Sequence, residues 1–349
     1  MGRTRVAVLG FGEVGVATSI VIAKDYADAI EVVQILNMNS SPEDAWARVV
    51  QSRYVDPAMV SYQDGQNPSL EIMNHKILIT NVDSTPDAAC KLEDVDILVH
   101  TIGEYDKDQA LMAAFLEPGR AKAIIVTYEK AAAGGDNVPE FNHESVNVAQ
   151  HRRFSLGSST ENTAIPILAA IEEACGKGAI RGLYARSASR VTEAQALGVG
   201  EVESRKEGVL SNFIPTTTGL SRLLGYPGFF DTMGGSPGDL SIRTPTEDAS
   251  LLCMSDHTTA DRELSTQSIS GQFRSPAAID RWRGIMGYRR HASVVFETQL
   301  KFLPKEPENG QRSPISSISV MATYANVYGY SSQVVRGILA LSLGRPLSA

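Results

Sequence analysis

The chain has 349 residues and a mass of 37.6 kDa, length enough for about two domains, and its 43% apolar and 21% charged residues suit a globular protein with a sizeable core. A formal charge of −8 and a pI near 5.4 argue against a global electrostatic grip on nucleic acid or on an anionic membrane. Cys90, Cys175 and Cys253 are too scattered for a disulfide framework or a CxxC metal knuckle, and the six histidines show no metal-ligand spacing; a reducing, cytoplasmic setting and no bound metal are expected.

The elements follow in chain order. Arg3 and Arg5 precede an apolar stretch from Val6, but Glu13 interrupts it and Asp25 ends it, so neither an export signal nor a membrane span is expected. Val6–Leu9 reads as a strand, Gly10–Gly15 as a tight turn, and the Ala/Ile/Val spacing continues as a helix to about Tyr26. Glu31–Leu36 is a second buried strand, and Pro42–Val50 is a helix with Ser41 as its N-cap. Strand-length apolar runs recur at His75–Ile79, Val95–Val99 and Ala123–Val126, with a helix at Asp108–Leu116 between the last two. Alternating strands and helices predict a largely parallel sheet covered on both faces. Beyond about residue 150 the texture changes: a helix over Asn162–Cys175, then longer strands at Gly182–Arg190, Leu251–Ser255 and Ser293–Phe302 separated by polar loops, Gly225–Gly238 among them, and a final helix over Gln333–Leu343. The expected class is α/β, an N-terminal Rossmann-type domain followed by an α+β domain with an antiparallel sheet.

Gly10, Gly12 and Gly15 form a GxGxxG turn between a strand and a helix. The first glycine permits the turn, the second lets backbone approach a pyrophosphate, and the third lets helix and strand pack closely, while free N–H groups at the helix start meet the anion. A dinucleotide is the implied ligand, with Phe11 and Val14 in the same turn; the alternative is a Gly-rich βα turn with no ligand. The acidic residue usual about 20 residues further on is missing, because the second strand ends Leu36-Asn37-Met38-Asn39; Asn37 is the candidate ribose partner. Glu13 puts a carboxylate beside the turn, and neither Arg nor Lys follows Asn37 closely. NAD and NADP both stay open.

Seven segments in order resemble glyceraldehyde-3-phosphate dehydrogenase. Val8–Gly15 is similar to the family's N-G-F-G-R-I-G, and Phe141-Asn142-His143-Glu144 to its G-V-N-H-E. Ser158–Thr163 sits where the family has S-C-T-T-N-C, followed by a helix carrying Pro166. Asn212–Gly219 resembles N-I-I-P-x-S-T-G, Ile242–Thr246 resembles F-R-V-P-T, Gly284–Tyr288 resembles G-I-L-G-Y, and Asn326–Ser331 resembles N-E-x-G-Y-S. The resemblance implies a nicotinamide-binding domain over 1–157 completed by a C-terminal helix over 326–349, a catalytic domain over 158–325, and a homotetramer. It also implies that Asn326 partners the nicotinamide carboxamide, that Ser158, Thr160, Thr218 and Gly219 form one anion pocket, and that Thr192 and Arg243 belong to another.

At the reaction centre the resemblance places Ser159 at the family's nucleophilic cysteine, and its histidine at Ala188 or Ser189 depending on the direction of counting. A serine hydroxyl needs a strong adjacent base where a thiol does not. The expectation is a divergent paralogue, a pseudoenzyme with respect to the family's thiohemiacetal chemistry. Glu161 and Glu193 are the new carboxylates here; Glu161, in a helix's first turn, is either a general base or a capping group. Arg281, Arg283, Arg289, Arg290 and His291 crowd around Trp282 and Tyr288, a solvated face or a subunit-interface network more than a nucleic-acid grip. Two functions stand: an NAD(P)-dependent oxidoreductase acting without a thioester on a small carbonyl, imine or alcohol with a phosphate or carboxylate, or a non-redox lyase, cyclase or binding scaffold on the same fold.

Overall fold

A computed structural model describes residues 2–102, 113–127, 152–176, 178–190, 214–216, 220, 238–244, 246, 248–259, 294–303 and 315–344. The backbone divides into two compact units, one of Met1–Ser158 with Tyr330–Ser348, the other of Ser159–Gly329.

In the first unit the apolar runs become strands β1 (Thr4–Leu9), β2 (Ile30–Met38), β5 (His75–Val82), β6 (Val95–His100) and β7 (Ala121–Val126). They pair in parallel in the order β5-β2-β1-β6-β7, and β8 (Arg153–Ser155) extends the sheet beside β7. Val6 to Leu9 are fully buried, as a central parallel strand covered on both faces requires. Helix α1 (Glu13–Asp25) is buried without a break from Gly15 to Ala23. Helix α2 (Pro42–Val50) starts as the sequence predicts: the Ser41 hydroxyl accepts from Asp44 N at 3.1 Å, and Ser41 N donates back to the Asp44 carboxylate at 2.8 Å. The capping bonds, Ser41 N first, hold that carboxyl below the usual range.

Two features add to the largely parallel sheet expected. Strands β3 (Val60–Gln63) and β4 (Ser69–Ile72) pair antiparallel at the edge beyond β5, joined to it by a two-residue turn in which Met73 and Asn74 have φ of 52° and 70°. A short helix α3 (Thr85–Lys91), capped by the Ser84 side chain, fills the crossover from β5 to β6. The helix expected over Asp108–Leu116 lies largely outside the described residues.

The second unit is built on helix α4 (Ser159–Cys175) and a sheet ordered β10-β11-β9-β12-β14-β13, from β9 (Ile180–Arg190), β10 (Ile214–Thr216), β11 (Gly238–Thr244), β12 (Ala249–Thr259), β13 (Val294–Leu303) and β14 (Ile315–Ala325). All pairings are antiparallel except β9 with β11, whose connection through residues 191–237 is long enough for a parallel crossover. Ala164, Ile167, Leu168 and Ile171 of α4 share one apolar core with Leu183, Leu252, Met254, Ile318 and Val320 of the sheet. The final helix, α5 (Tyr328–Leu343), belongs from Tyr330 onward to the first unit: Tyr330 donates to the Gly157 carbonyl at 2.7 Å and Ser331 to the Val14 carbonyl at 3.4 Å. No described helix is long and apolar enough to cross a membrane.

Candidate functional site

The glycine turn sits at the carboxyl end of β1, hydrogen-bonded on both sides: Gly10 N donates to Leu36 O at 3.0 Å, and Thr101 N to Leu9 O at 2.8 Å. Gly10 has φ +83°, and a Cβ there would stand 2.7 Å from Ile102 Cγ1; the Thr101 hydroxyl braces the Gly10 carbonyl. A Cβ on Gly15 would lie 2.5 Å from that same carbonyl oxygen, so only glycine lets α1 start this close to β1. Gly12 differs. It is the N-cap of α1 with no side-chain cap, and a Cβ on it would meet nothing within 4 Å among the described residues. The turn therefore leaves open space in front of uncapped helix N–H groups, the shape and polarity that a pyrophosphate fills. Phe11 is buried, and its carbonyl accepts a hydrogen bond from the Arg48 guanidinium of α2 at 2.9 Å. Val14 presents its carbonyl to Ser331.

Asn37, the candidate ribose partner, is fully buried. Its amide donates to the carbonyls of Ser40 and Ser41 at 3.0 and 2.9 Å, and its carbonyl oxygen accepts from the Ser40 hydroxyl at 2.8 Å. It knits the β2–α2 connection together, a role its position in sequence did not announce.

In the second unit, α4 opens on the hydroxyl-rich run. The Thr160 hydroxyl pairs with Tyr324 of β14 at 2.8 Å, Thr163 donates to the Ser159 carbonyl at 2.9 Å, and Glu161 is buried in the first turn. Ser159 Oγ accepts from the Asn326 amide at 3.3 Å, and the Asn326 carbonyl accepts from Ser250, whose hydroxyl also receives Arg190 N at 2.9 Å. The backbone at Asn326 and Val327 is fixed by the Asp248 carbonyl and carboxylate at 2.9 and 2.8 Å. Among the described residues the one side chain hydrogen-bonded to Ser159 Oγ is thus a carboxamide, not a base.

The β9 positions that the resemblance matches to the family's histidine are Ala188, half-buried opposite Leu251, and Ser189, buried and within hydroxyl reach of Ser187 and Ser241 at 3.4 and 3.3 Å. Arg243 on β11 donates to the Arg190 carbonyl at 3.0 Å, next to Thr244, which donates to the Ser189 carbonyl at 3.2 Å. Structure thus brings Ser159, Asn326 and Ser250 into one hydrogen-bonded chain and puts Arg243 at the Arg190 end of β9. Ser158 is half-buried at the last residue of the first unit. Thr192, Glu193, Thr218, Gly219, the Phe141–Glu144 tag and the basic stretch over 281–291 lie outside the described residues. Ser250, Tyr324 and Asp248 escaped the sequence reading, since single hydroxyls and carboxylates on strands carry no local signature. None of the three cysteines forms a disulfide, and no group of His, Cys, Asp and Glu among the described residues is placed to hold a metal.

No family model matches the chain. It is 24% identical over 348 residues to glyceraldehyde-3-phosphate dehydrogenase of Bacteroides fragilis, covering 95% of this chain and 96% of that one. It is 24% identical over 336 residues to the enzyme of that name from Zymomonas mobilis, with 95% and 96% covered. Against glyceraldehyde-3-phosphate dehydrogenase 2 of Bacillus subtilis it is 23% identical over 343 residues, with 95% of each covered. Low in identity but end to end in extent, these likenesses support a relationship between this chain and the glyceraldehyde-3-phosphate dehydrogenase family.

Proposed function

We propose that the chain is an NAD(P)-dependent oxidoreductase that works without a covalent thioester, on a small carbonyl, imine or alcohol bearing a phosphate or carboxylate. The observation that carries this reading is the Gly10–Gly15 turn, with its uncapped helix start and the open space at Gly12. The backbone of Gly10, Phe11, Gly12, Val14 and Gly15 holds the dinucleotide, and α1's first N–H groups meet its pyrophosphate. A bound nicotinamide supplies or accepts a hydride. Asn326 orients the ring; Ser158, Thr160, Thr218 and Gly219 form one pocket for an anionic group, and Thr192 and Arg243 another, Arg243 by a charge-assisted contact. Glu161, buried in the first turn of α4, exchanges the proton at the substrate oxygen. Ser159, bonded to a carboxamide, positions and does not attack.

On this reading the protein is a cytoplasmic homotetramer. Support comes from the sheet face opposite α4, where Tyr184 is 40% and Leu240 47% exposed and Arg186 stacks 4.8 Å from the Tyr184 ring centroid. That apolar, aromatic surface suits burial against another copy.

Ser159→Cys gives the direct check on the non-covalent mechanism. The variant is expected to show less than about one-thousandth of a typical family rate of glyceraldehyde-3-phosphate oxidation, because a thiol without a base-activated partner lacks the usual nucleophilic assistance. Recovery above that level in a dinucleotide-reduction assay would overturn the assignment.

One observation favours the second reading, a non-redox enzyme or a binding scaffold. Asn37 and Asn326, the two carboxamides assigned to the dinucleotide, both spend hydrogen bonds inside the protein, on Ser40 and Ser41 and on Ser250 and Ser159. A scaffold would be indifferent to reduced dinucleotides, which separates the two readings.

A further inference from the structure

We infer that Arg48 selects a dinucleotide carrying a 2′-phosphate, so that the phosphorylated form, NADP(H), is the preferred cofactor. The inference rests on the dinucleotide reading of the glycine turn and names the cofactor class within it. Arg48 lies eleven residues after Asn37, beyond any sequence spacing that announces a phosphate partner, and helix α2 returns it to the turn. Arg48 is exposed as a residue, and its guanidinium makes one hydrogen bond among the described residues, a part-buried one to the Phe11 carbonyl at 2.9 Å. That bond uses one of five N–H donors and fixes the planar fork beside the backbone that a dinucleotide approaches.

Three further observations agree. In folds of this kind the adenosine ribose lies by the carboxyl end of the second strand, where a carboxylate accepts from the 2′-hydroxyl and repels a 2′-phosphate, while a nearby arginine accommodates the phosphate. Here that strand ends in Asn37 and Met38, and the Asn37 side chain is turned inward on Ser40 and Ser41. The nearest carboxylate on the same helix, Asp44, is held by Ser41 N; Arg48's charge helps to keep its carboxyl ionised, but the two form no ion pair among the described residues. Glu13 replaces the arginine that the family tag carries in the turn, so Arg48 is the guanidinium that reaches this backbone.

The test is a competition and thermal-shift series on the full chain with NADPH, NADH, 2′,5′-ADP and 5′-AMP. The expected result is a tenfold or larger preference for NADPH over NADH and for 2′,5′-ADP over 5′-AMP, weakening as salt rises. Arg48→Gln should bring both ratios to within threefold of unity, while Arg48→Lys, which keeps the charge, should keep most of the preference. Binding of both dinucleotides with no preference, or with a preference that Arg48→Gln leaves intact, would overturn this inference and leave the turn's assignment standing. An equal weakening of NADPH and NADH in Arg48→Gln would also overturn it, marking Arg48 as a brace for the turn. Binding of none of the four up to about 1 mM, roughly −4.1 kcal/mol, would overturn the dinucleotide reading itself.

Discussion

Replacing Asp256 by Val should raise the stability of the second unit by roughly 4 kcal/mol at pH 7, and its Tm by about 10 °C. Asp256 sits on β12 between Leu183 of β9 and Ile318 of β14, on the same face as Leu252 and Met254, and is fully buried. Among the described residues neither carboxyl oxygen has a hydrogen-bond partner. Desolvation alone pushes its pKa up to about 8. The sign follows directly. Between about pH 4, where an unfolded aspartate ionises, and about pH 8 the unfolded chain has released this proton and the folded chain still holds it. Stability is therefore lost as pH rises through that window, by up to 1.4 kcal/mol per pH unit. Asp256→Val removes the linkage and adds apolar burial in a strand position that suits a β-branched residue. Asp256→Asn removes the linkage but keeps an unsatisfied polar group, so its gain should be smaller and equally flat with pH. Chemical denaturation of the three proteins from pH 5 to pH 8 checks this. A wild-type-to-Val difference that does not widen with pH would contradict the buried, neutral carboxyl.

Gly15→Ala should damage the first unit and its glycine turn together. Its Cβ would stand 2.5 Å from the Gly10 carbonyl oxygen, 3.0 Å from Thr101 Oγ1 and 3.2 Å from Val8 Cγ1. The closest of these is backbone, tied through Thr101 to the β1–β6 edge, and cannot swing aside like a side chain. Relief requires α1 to move off β1, at a cost of about 3 kcal/mol for forced overpacking, and the movement opens the turn proposed to cradle the phosphates. Expected together are a Tm lower by roughly 6–12 °C and at least a thirtyfold loss of dinucleotide affinity. A variant with wild-type Tm would show that the turn has more room than the 2.5 Å contact allows.

How much of this was legible in the sequence follows from where the information resides. Local chemistry announced itself: Ser41 and Asp44 cap α2, and the apolar runs at Val6–Leu9 and Val95–Val99 became central parallel strands. The antiparallel edge was illegible because its turn uses Met73 and Asn74 at positive φ, where the familiar signal is Asn-Gly. Strand β11 was missed because a parallel partner for β9 comes from a crossover spanning residues 191–237, which no local period encodes. At the candidate sites, the three glycines and Ser159 were found from spacing and resemblance. Arg48 and Ser250 were not, since each becomes informative only when a helix or a strand register carries it to Phe11 or Asn326. Asp256 gave no sign either: an aspartate in the polar-looking Ser255-Asp256-His257 run becomes anomalous only when the pleat turns it inward.

The most direct test of the central claim is a fluorescence titration of the wild-type chain and Gly12→Ser with NADH and NADPH. A Cβ on Gly12 meets no atom of the described residues within 4 Å, and serine is a favoured N-cap, so Gly12→Ser should fold at least as stably as wild type. Its added side chain occupies the space assigned to the pyrophosphate. The account predicts saturable wild-type binding of at least one reduced dinucleotide below about 100 μM, roughly −5.5 kcal/mol, and at least a tenfold loss in Gly12→Ser with no fall in Tm. Equal binding by the two proteins, or binding by neither, would contradict it.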